Sequence, residues 1–263
     1  MNNVEGFPIQ RVTREGKQDS EDVVTIELPL TIIVNNKELA TLLCSPTDLK
    51  YLAIGFLAFE GLIKDKAEIK KIIVDDKRGV VRLETTENKG FTQDTLFKRV
   101  ITSGCGRGVS FHSAADVQEQ SKVESQTTIS NVEVFTLVRE FQHRSQVFKT
   151  TGGVHSAALC DTKNILVFNE DIGRHNAIDK IFGECMLTDI PTDDRIIITS
   201  GRVSSEILLK VAKRNIPILI SKSAPTNLGV RLAHDLGVTL IGFVRGERMN
   251  VYASGWRVTT NGK

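Results

Sequence analysis

The sequence predicts an α/β protein of two domains. From about residue 150 onward, continuous apolar runs alternate with helical patterns, which is typical of a sheet covered by helices on both faces. The first hundred residues instead show two hairpin patterns around one helix, which is typical of a smaller α+β domain. A chain of 263 residues is long enough to bury a core in each. We therefore expect a C-terminal three-layer α/β domain beside an N-terminal α+β domain.

The expected domain boundaries follow changes in composition. Residues 1–110 form the N-terminal domain, which ends in a glycine-rich loop that carries one cysteine. Residues 111–130 are polar and hold few large apolar side chains, so they predict a mobile linker. Residues 131–263 form the C-terminal domain, to which we assign ligand binding.

Hairpins are predicted in both domains. Residues 23–45 alternate as two strands, joined at Asn35 and Asn36 because asparagine tolerates positive φ. A second hairpin is expected at residues 70–84, and a third at residues 155–171 opens the C-terminal sheet. Strands at 195–200, 216–221 and 238–244 then alternate with helices at 172–185, 203–215 and 224–237.

Two further helices have recognisable ends. The first begins near Asp48 and ends at Gly61, and its apolar face comprises Leu49, Leu52, Phe56 and Phe59. The second begins at Ser130, which forms a capping box with Glu133. Its buried face is predicted to comprise Val132, Phe135, Val138 and Phe141.

Charge and composition limit the possible functions. The chain has 34 basic and 32 acidic residues, and this balance argues against a general nucleic-acid binder. The polar N-terminus lacks the apolar core of a signal peptide, and the apolar run at 51–59 is too short to span a bilayer. We therefore expect a cytoplasmic protein that contacts neither membrane nor nucleic acid and keeps its thiols reduced.

The cysteines divide into two kinds. Cys44, Cys160 and Cys185 lie in apolar patterns and are expected in the core. Cys105 instead has glycines on both sides and Arg107 nearby. Glycines let backbone N–H groups converge, and a nearby cation lowers the pKa of a thiol. This loop therefore favours a reactive thiolate at Cys105.

Cations follow three neighbouring strands of the predicted C-terminal sheet. They are Arg202, Lys222, Arg245 and Arg248. Ligands of such sheets bind beyond the carboxyl ends of the strands, where helix N-termini also attract anions. The pattern favours a pocket for a nucleotide or a cofactor with a diphosphate, although solvated loop charges would give the same sequence. His112, His155 and His175 are either pocket residues that transfer protons or structural hydrogen-bonding groups.

Several long motifs are similar to those of one family. The stretches "DLKYLAIGFLAFEGLI", "TGGVHSAAL", "EDIGRHNAIDKIFGE", "TSGRVSSEILLKVAKRNIPILISKSAPT" and "GFVRGERMNVY", together with the cysteine loop, resemble the formate dehydrogenase accessory sulfurtransferase family. The resemblance covers about residues 22–257. It implies a C-terminal half similar to the cytidine deaminase fold, and a homodimer.

The resemblance also implies a function. A member of this family takes persulfide sulfur from a cysteine desulfurase and passes it to the molybdenum (or tungsten) bis-guanine-dinucleotide cofactor of formate dehydrogenase. Cys105 matches the persulfide cysteine, and no metal is held by the protein itself. Arg202 and Lys222 join the implied cofactor-binding set, whose matching segment is Phe243, Val244, Arg245, Gly246, Glu247 and Arg248.

One departure from the family bears on mechanism. Many members carry a C-x-x-C pair in the cysteine loop, whereas Gly108 occupies the second position here. A disulfide within the loop is therefore not expected. The zinc signature of the deaminases, H-x-E followed by P-C-x-x-C, does not occur in the sequence either.

Three functions remain open from the sequence. The first is the sulfur carrier, and the second is a chaperone that binds the same cofactor without covalent sulfur transfer. The third is an enzyme that hydrolyses or deaminates nucleotides on the same scaffold. The first two share the pocket and differ only in the role of Cys105.

Overall fold

The computed structural model of the protein describes residues 3–86, 100–101 and 121–260. A five-stranded sheet organises the N-terminal domain, and a six-stranded sheet organises the C-terminal domain. The α/β class is confirmed, with the smaller α+β domain first and the three-layer domain second. Within the described residues, no helix has the length and apolarity that crossing a membrane would require.

An exposed two-stranded ribbon begins the chain. Its antiparallel strands are β1 (Val4–Thr13) and β2 (Gly16–Thr25), which form a sheet of their own. The sequence does not indicate β1, because the ribbon buries little on either face and therefore lacks the alternation of apolar and polar residues that marks a half-buried strand.

The predicted hairpins of the N-terminal domain are confirmed. Asn35 and Asn36 join the first pair with φ angles of 48° and 64°, and the second pair turns after Asp75. The strands of the N-terminal sheet are β3 (Leu28–Val34), β4 (Lys37–Cys44), β5 (Ile69–Asp75), β6 (Val80–Thr85) and β7 (Val100–Ile101). Their order in the sheet is β5-β6-β3-β4-β7.

The strands of the C-terminal sheet are β9 (His155–Cys160), β10 (Ile165–Asp171), β11 (Ile196–Thr199), β12 (Ile218–Ser221), β13 (Thr239–Arg245) and β14 (Arg248–Ala253). Their order in the sheet is β10-β9-β11-β12-β13-β14. The three central strands, β11, β12 and β13, run parallel, and β9 and β14 flank them in the antiparallel direction. The edge strand β10 is antiparallel to β9. A separate short parallel pair joins β8 (Ile129–Ser130) to β15 (Val258–Thr259).

Helices cover both faces of this sheet. One face packs against the helix Asn131–Arg144, and the other packs against the helices Arg174–Thr188, Ser205–Ala212 and Asn227–Asp235. The helices of the described chain are α1 (Leu49–Phe59), α2 (Asn131–Arg144), α3 (Gln146–Thr151), α4 (Arg174–Thr188), α5 (Ser205–Ala212) and α6 (Asn227–Asp235).

The start of α2 is confirmed, but its predicted buried face is partly wrong. Ser130 and Glu133 form the capping box. Val132 is 50% exposed, because it projects from the side of the helix opposite to Phe141. The residues that face the sheet have helical spacing and are Val134, Leu137, Val138 and Phe141.

The prediction of a mobile linker is wrong for residues 121–130. Val123 and Ile129 are buried, and the Val123 N–H donates a hydrogen bond to the Leu236 carbonyl at 2.9 Å. The buried Arg257 guanidinium donates to the Ser125 carbonyl at 3.0 and 3.2 Å. These ten residues are therefore fixed on the C-terminal domain, because their few apolar side chains are buried there and their carbonyls accept hydrogen bonds from it. Residues 111–120 lie outside the described part of the chain.

Helices α1 and α4 join the two domains by direct backbone contact. A Cβ atom at Gly55 would overlap the carbonyl of Asp179, and one at Gly183 would overlap the carbonyl oxygen of Tyr51. The other face of α1 packs on the N-terminal sheet, while α4 packs on the C-terminal sheet. The two glycines therefore set the distance between the two sheets.

Replacement of Gly183 by alanine tests this contact. Because the added methyl group would meet backbone, Gly183→Ala should lower the free energy of unfolding by about 3 kcal/mol or more, the upper end of the range for overpacking. Gly6→Ala serves as the control, since a Cβ there meets open space. Chemical denaturation measures the free energy of unfolding of both variants. A Gly183→Ala protein as stable as the parent would contradict the proposed role of the contact between α1 and α4.

Candidate active site

The carboxyl edge of the C-terminal sheet gathers the predicted cations. Arg202 follows β11, Lys222 follows β12, and Arg245 ends β13. Arg248 begins β14 and pairs with Arg245 across the hairpin. Because β11, β12 and β13 are parallel neighbours, all four residues lie at one edge of the sheet.

A cavity of about 570 Å³ opens at this edge. The sheet contributes His155, Ser156, Ser200 and Lys222 to its lining, and α2 and α3 form the opposite wall with Phe141, Phe148 and Lys149. Of the four predicted cations, only Lys222 lines the cavity. Arg202, Arg245 and Arg248 are exposed outside it.

The polar floor of the cavity is built on Ser200. Its hydroxyl oxygen accepts a hydrogen bond from the Ser156 N–H at 3.0 Å and lies 3.3 Å from Nδ1 of His155. Burial and the nearby Arg174 guanidinium lower the pKa of His155. The floor is therefore neutral at physiological pH, and its polar groups offer hydrogen bonds rather than charge.

A carboxylate holds the outer wall in place. Glu170, near the end of β10, accepts hydrogen bonds from the N–H groups of Val147 (3.1 Å) and Phe148 (3.2 Å) in the first turn of α3. The Ser156 hydroxyl donates to the same carboxylate at 3.3 Å. A carboxylate suits this position because the helix N-terminus leaves N–H groups without internal partners.

Lys222 and Arg245 lie close enough to influence each other. Burial lowers the pKa of Lys222, and the charge of Arg245 lowers it further. The Arg245 guanidinium lies 5.6 Å from the centre of the Phe243 ring. An anion beside these two cations would relieve their mutual repulsion.

The segment from Phe243 to Arg248 is a hairpin rather than an open loop. Phe243 adopts a left-handed conformation with φ of 52°, at a shift in the register between β13 and β14. Val244 is buried in the core, while Gly246 (φ 57°) and Glu247 form the exposed turn. The sequence pattern does not indicate β14, so it predicts these residues only as the end of a strand.

His175 lies at the start of α4, behind the cavity. Burial, with the nearby charges of Lys210 and Arg174, lowers the pKa of His175 to about 3. Its Nδ1 is 3.5 Å from the Glu206 carboxylate, but neither ring nitrogen makes a hydrogen bond within the described residues. The imidazole is therefore neutral, and this contact is not an ion pair.

A buried polar network joins the domains beside the cavity. The Asp171 carboxylate accepts the backbone N–H of Ser45 at 3.1 Å and the side-chain amide of Asn176 at 2.8 Å, and pairs with Lys180 at 2.8 Å. The Ser45 hydroxyl accepts the N–H of Ile172, which lines the cavity. The end of β4 is thereby fixed next to the cavity.

Cys105 and His112 lie outside the described residues. The other three cysteines are buried, as predicted. Burial raises the pKa of Cys44 and of Cys185 to about 12, and that of Cys160 as well. These three thiols are therefore protonated and enclosed. Within the described part of the chain, no three His, Cys, Asp or Glu side chains are grouped so that they could hold a metal ion.

Sequence reasoning missed the wall of the cavity and its support. Phe148 and Lys149 belong to a short helix without a periodic pattern of its own, and Glu170 acts on that helix from a distant strand. Arg174 lies shortly after the end of β10, which runs in the same direction as β11, so the strand-end pattern that indicates Lys222 applies to Arg174 as well.

The fold and this edge define a two-domain α/β protein with a basic cavity beyond its parallel strands. The sequence matches the FdhD/NarQ family over residues 25–259. The chain therefore belongs to this family.

Similar proteins carry related names. "Sulfur carrier protein FdhD" of Bacillus pumilus is 46% identical over 247 residues, which is 94% of each chain. Its namesake in Bacillus subtilis is 44% identical over 90% of this chain and 91% of the relative. A crystal structure assigned as a formate dehydrogenase accessory protein from Desulfotalea psychrophila has a TM-score of 0.81 at 27% identity. It covers 98% of this chain and 100% of that one.

The neutral state of His175 predicts a loss of stability in acid. The unfolded chain binds a proton at the ordinary pKa of 6.5, whereas the folded protein does so only near 3, so stability falls as pH drops through this window. At pH 5 the loss from this group is about 2 kcal/mol. Urea denaturation at pH 7.5, 6 and 5 measures it, and His175→Gln should flatten the dependence by that amount. An unchanged pH dependence in the variant would contradict the assignment.

Proposed function

We propose that the protein is a sulfur carrier that takes persulfide sulfur from a cysteine desulfurase. It passes the sulfur to the molybdenum or tungsten bis-guanine-dinucleotide cofactor before that cofactor enters formate dehydrogenase. The names of the relatives and of the structural neighbour support the coarser part of this proposal, a sulfur carrier connected with formate dehydrogenase. The cofactor is the substrate and not a resident group.

The observation that carries the proposal is the position of the last described residue before the cysteine loop. Ile101 pairs with Leu42 on β4, three residues before Ser45. Ser45 in turn contacts Ile172 in the cavity wall. Cys105 is four residues beyond Ile101, a separation of at most about 14 Å. The chain thus enters the cysteine loop from a strand fixed beside the cavity.

The first chemical step is an exchange without net oxidation. The Cys105 thiolate attacks the outer sulfur of the desulfurase persulfide, a new S–S bond forms, and the desulfurase thiolate leaves as the old S–S bond breaks. Cys105 then carries the persulfide. Cys44, Cys160 and Cys185 are unsuited to this step because the thiolate is the nucleophile and burial keeps each of them protonated.

The cavity and its edge suit a ligand with a ring system and phosphates. Phe141 and Phe148 offer aromatic surface, and the Ser200 floor offers neutral hydrogen-bonding groups. Lys222 lies inside, with Arg245 beside it, so phosphates would meet charge at the entrance. We expect Arg202 and Arg248, which are exposed, to act mainly through long-range attraction. We also expect a cytoplasmic homodimer.

Replacement of Cys105 tests covalent transfer. Cys105→Ser should abolish sulfur loading, because it removes the one thiol that is not enclosed in the described core. Intact-mass measurement follows incubation with a cysteine desulfurase and cysteine. On the parent protein it should detect the added mass of one sulfur atom, about 32 Da, from the persulfide. Cys185→Ala is the matched control and should load normally, with some loss of stability from the core.

The same variants separate the carrier from a chaperone that only binds the cofactor. If Cys105→Ser still produces active formate dehydrogenase in cells that lack the parent protein, then sulfur transfer through this residue is refuted. The function of a chaperone that binds the cofactor without sulfur transfer would then remain, because the cavity and its cations do not depend on the thiol.

Replacement of the edge cations tests the binding site. Lys222→Met and Arg245→Ala should each weaken the binding of GDP by about 1.5–3 kcal/mol, the value of a charge-assisted hydrogen bond. Arg78→Ala is the control, because its exposed side chain lies on the β5–β6 turn. Isothermal titration calorimetry measures the affinities. Equal affinities in all three variants would place the nucleotide elsewhere.

A further inference from the structure

A second cavity lies between the two domains, away from the strand edge. It measures about 290 Å³ and shares no lining residue with the first cavity. The N-terminal domain contributes Phe59 at the end of α1 and Lys64 beyond it. The C-terminal domain contributes Phe182 from α4 and, from the end of α5, Lys210, Lys213 and Arg214. Four cations thus line it, and no carboxylate does within the described part of the chain.

Arg214 is at the centre of this region. It lines both this cavity and an adjoining one of about 380 Å³, which Asp65, Asp189 and Asp193 also line. Its guanidinium lies 5.7 Å from the centre of the Phe182 ring, and among the described residues it makes no side-chain hydrogen bond or ion pair. Burial lowers the pKa of Arg214. A partly buried guanidinium without a protein acceptor leaves its donors available to an anion.

The neighbouring carboxylate does not fill this role. Both oxygens of Asp179 bind the Nζ of Lys210, at 2.6 and 2.8 Å. Lys210 is almost fully buried and lies 3.8 Å from the centre of the Phe59 ring. This closed pair forms the floor of the cavity. The C-terminal end of α5 also favours nearby cations, which explains their position but provides no acceptor for the guanidinium.

We propose that this cleft binds the phosphate group of a small ligand, with Arg214 and Lys64 as its principal contacts. Arginine and lysine are the usual phosphate-binding side chains, and those that line this cavity come from both domains. The volume suits inorganic phosphate, pyrophosphate or a small phosphomonoester, and it is too small for a dinucleotide. Because Lys64 belongs to one domain and Arg214 to the other, a bound phosphate would connect the domains.

Titration of the full-length protein with inorganic phosphate, pyrophosphate and glycerol phosphate tests this proposal. At constant ionic strength, calorimetry should show saturable binding, and thermal unfolding should shift to higher temperature. Arg214→Met keeps the aliphatic packing and should weaken binding about tenfold or more, which corresponds to about 1.4 kcal/mol. Lys64→Gln, at an exposed loop position, should weaken it as well and provides the test should Arg214→Met fold poorly.

Two controls make the result specific. Lys71→Gln changes the charge equally on an exposed strand and should leave binding unchanged. Lys222→Gln should also leave it unchanged, which separates this site from the proposed cofactor site. Tighter binding of glycerol phosphate than of phosphate would identify an organic ligand, and the reverse would identify the free ion. Three outcomes would overturn the proposal. Binding would not saturate, Lys71→Gln would lose as much affinity as Arg214→Met, or only Lys222→Gln would lose affinity.

Discussion

The backbone contact between α1 and α4 is the constraint on which the rest of the structure depends. With no side chain at Gly55 or Gly183, the two helices approach until backbone meets backbone, and each carries its own sheet on the opposite face. Asp179 extends this constraint, because its carbonyl contacts Gly55 while its carboxylate binds Lys210 on α5. Three helices from two domains are thereby held at one residue, and the second cavity lies among these three helices.

Much of the fold could be predicted because its signals are local. Asn35 and Asn36 identify a tight hairpin, and Ser130 with Glu133 identifies a helix start, whatever the tertiary context. The errors occur where the burial of a residue depends on packing against elements that are distant in the sequence. Val132 is apolar but lies on the solvent side of α2, and Val123 lies in a polar segment but is buried under α6. No local pattern distinguishes these two cases.

The site was predictable only in part, for a related reason. Parallel strands bring their carboxyl ends together, so Lys222 and Arg245 could be placed at one edge from strand order alone. The opposite wall depends on α3, whose position is set by hydrogen bonds to Glu170 from another strand. Similarly, the hairpin at Gly246 depends on the pairing of β13 with β14, which the sequence pattern does not indicate.

The distance in sequence between Gly55 and Gly183 has a consequence for synthesis on the ribosome. The apolar surface of α1 that faces α4 cannot be covered until about 130 more residues have been made, which takes on the order of 10 s at ordinary elongation rates. During this interval the N-terminal sheet is able to form, since its hairpins and α1 are close in sequence, but one side of α1 stays open to water. The nascent chain therefore exposes this surface of α1 until α4 emerges.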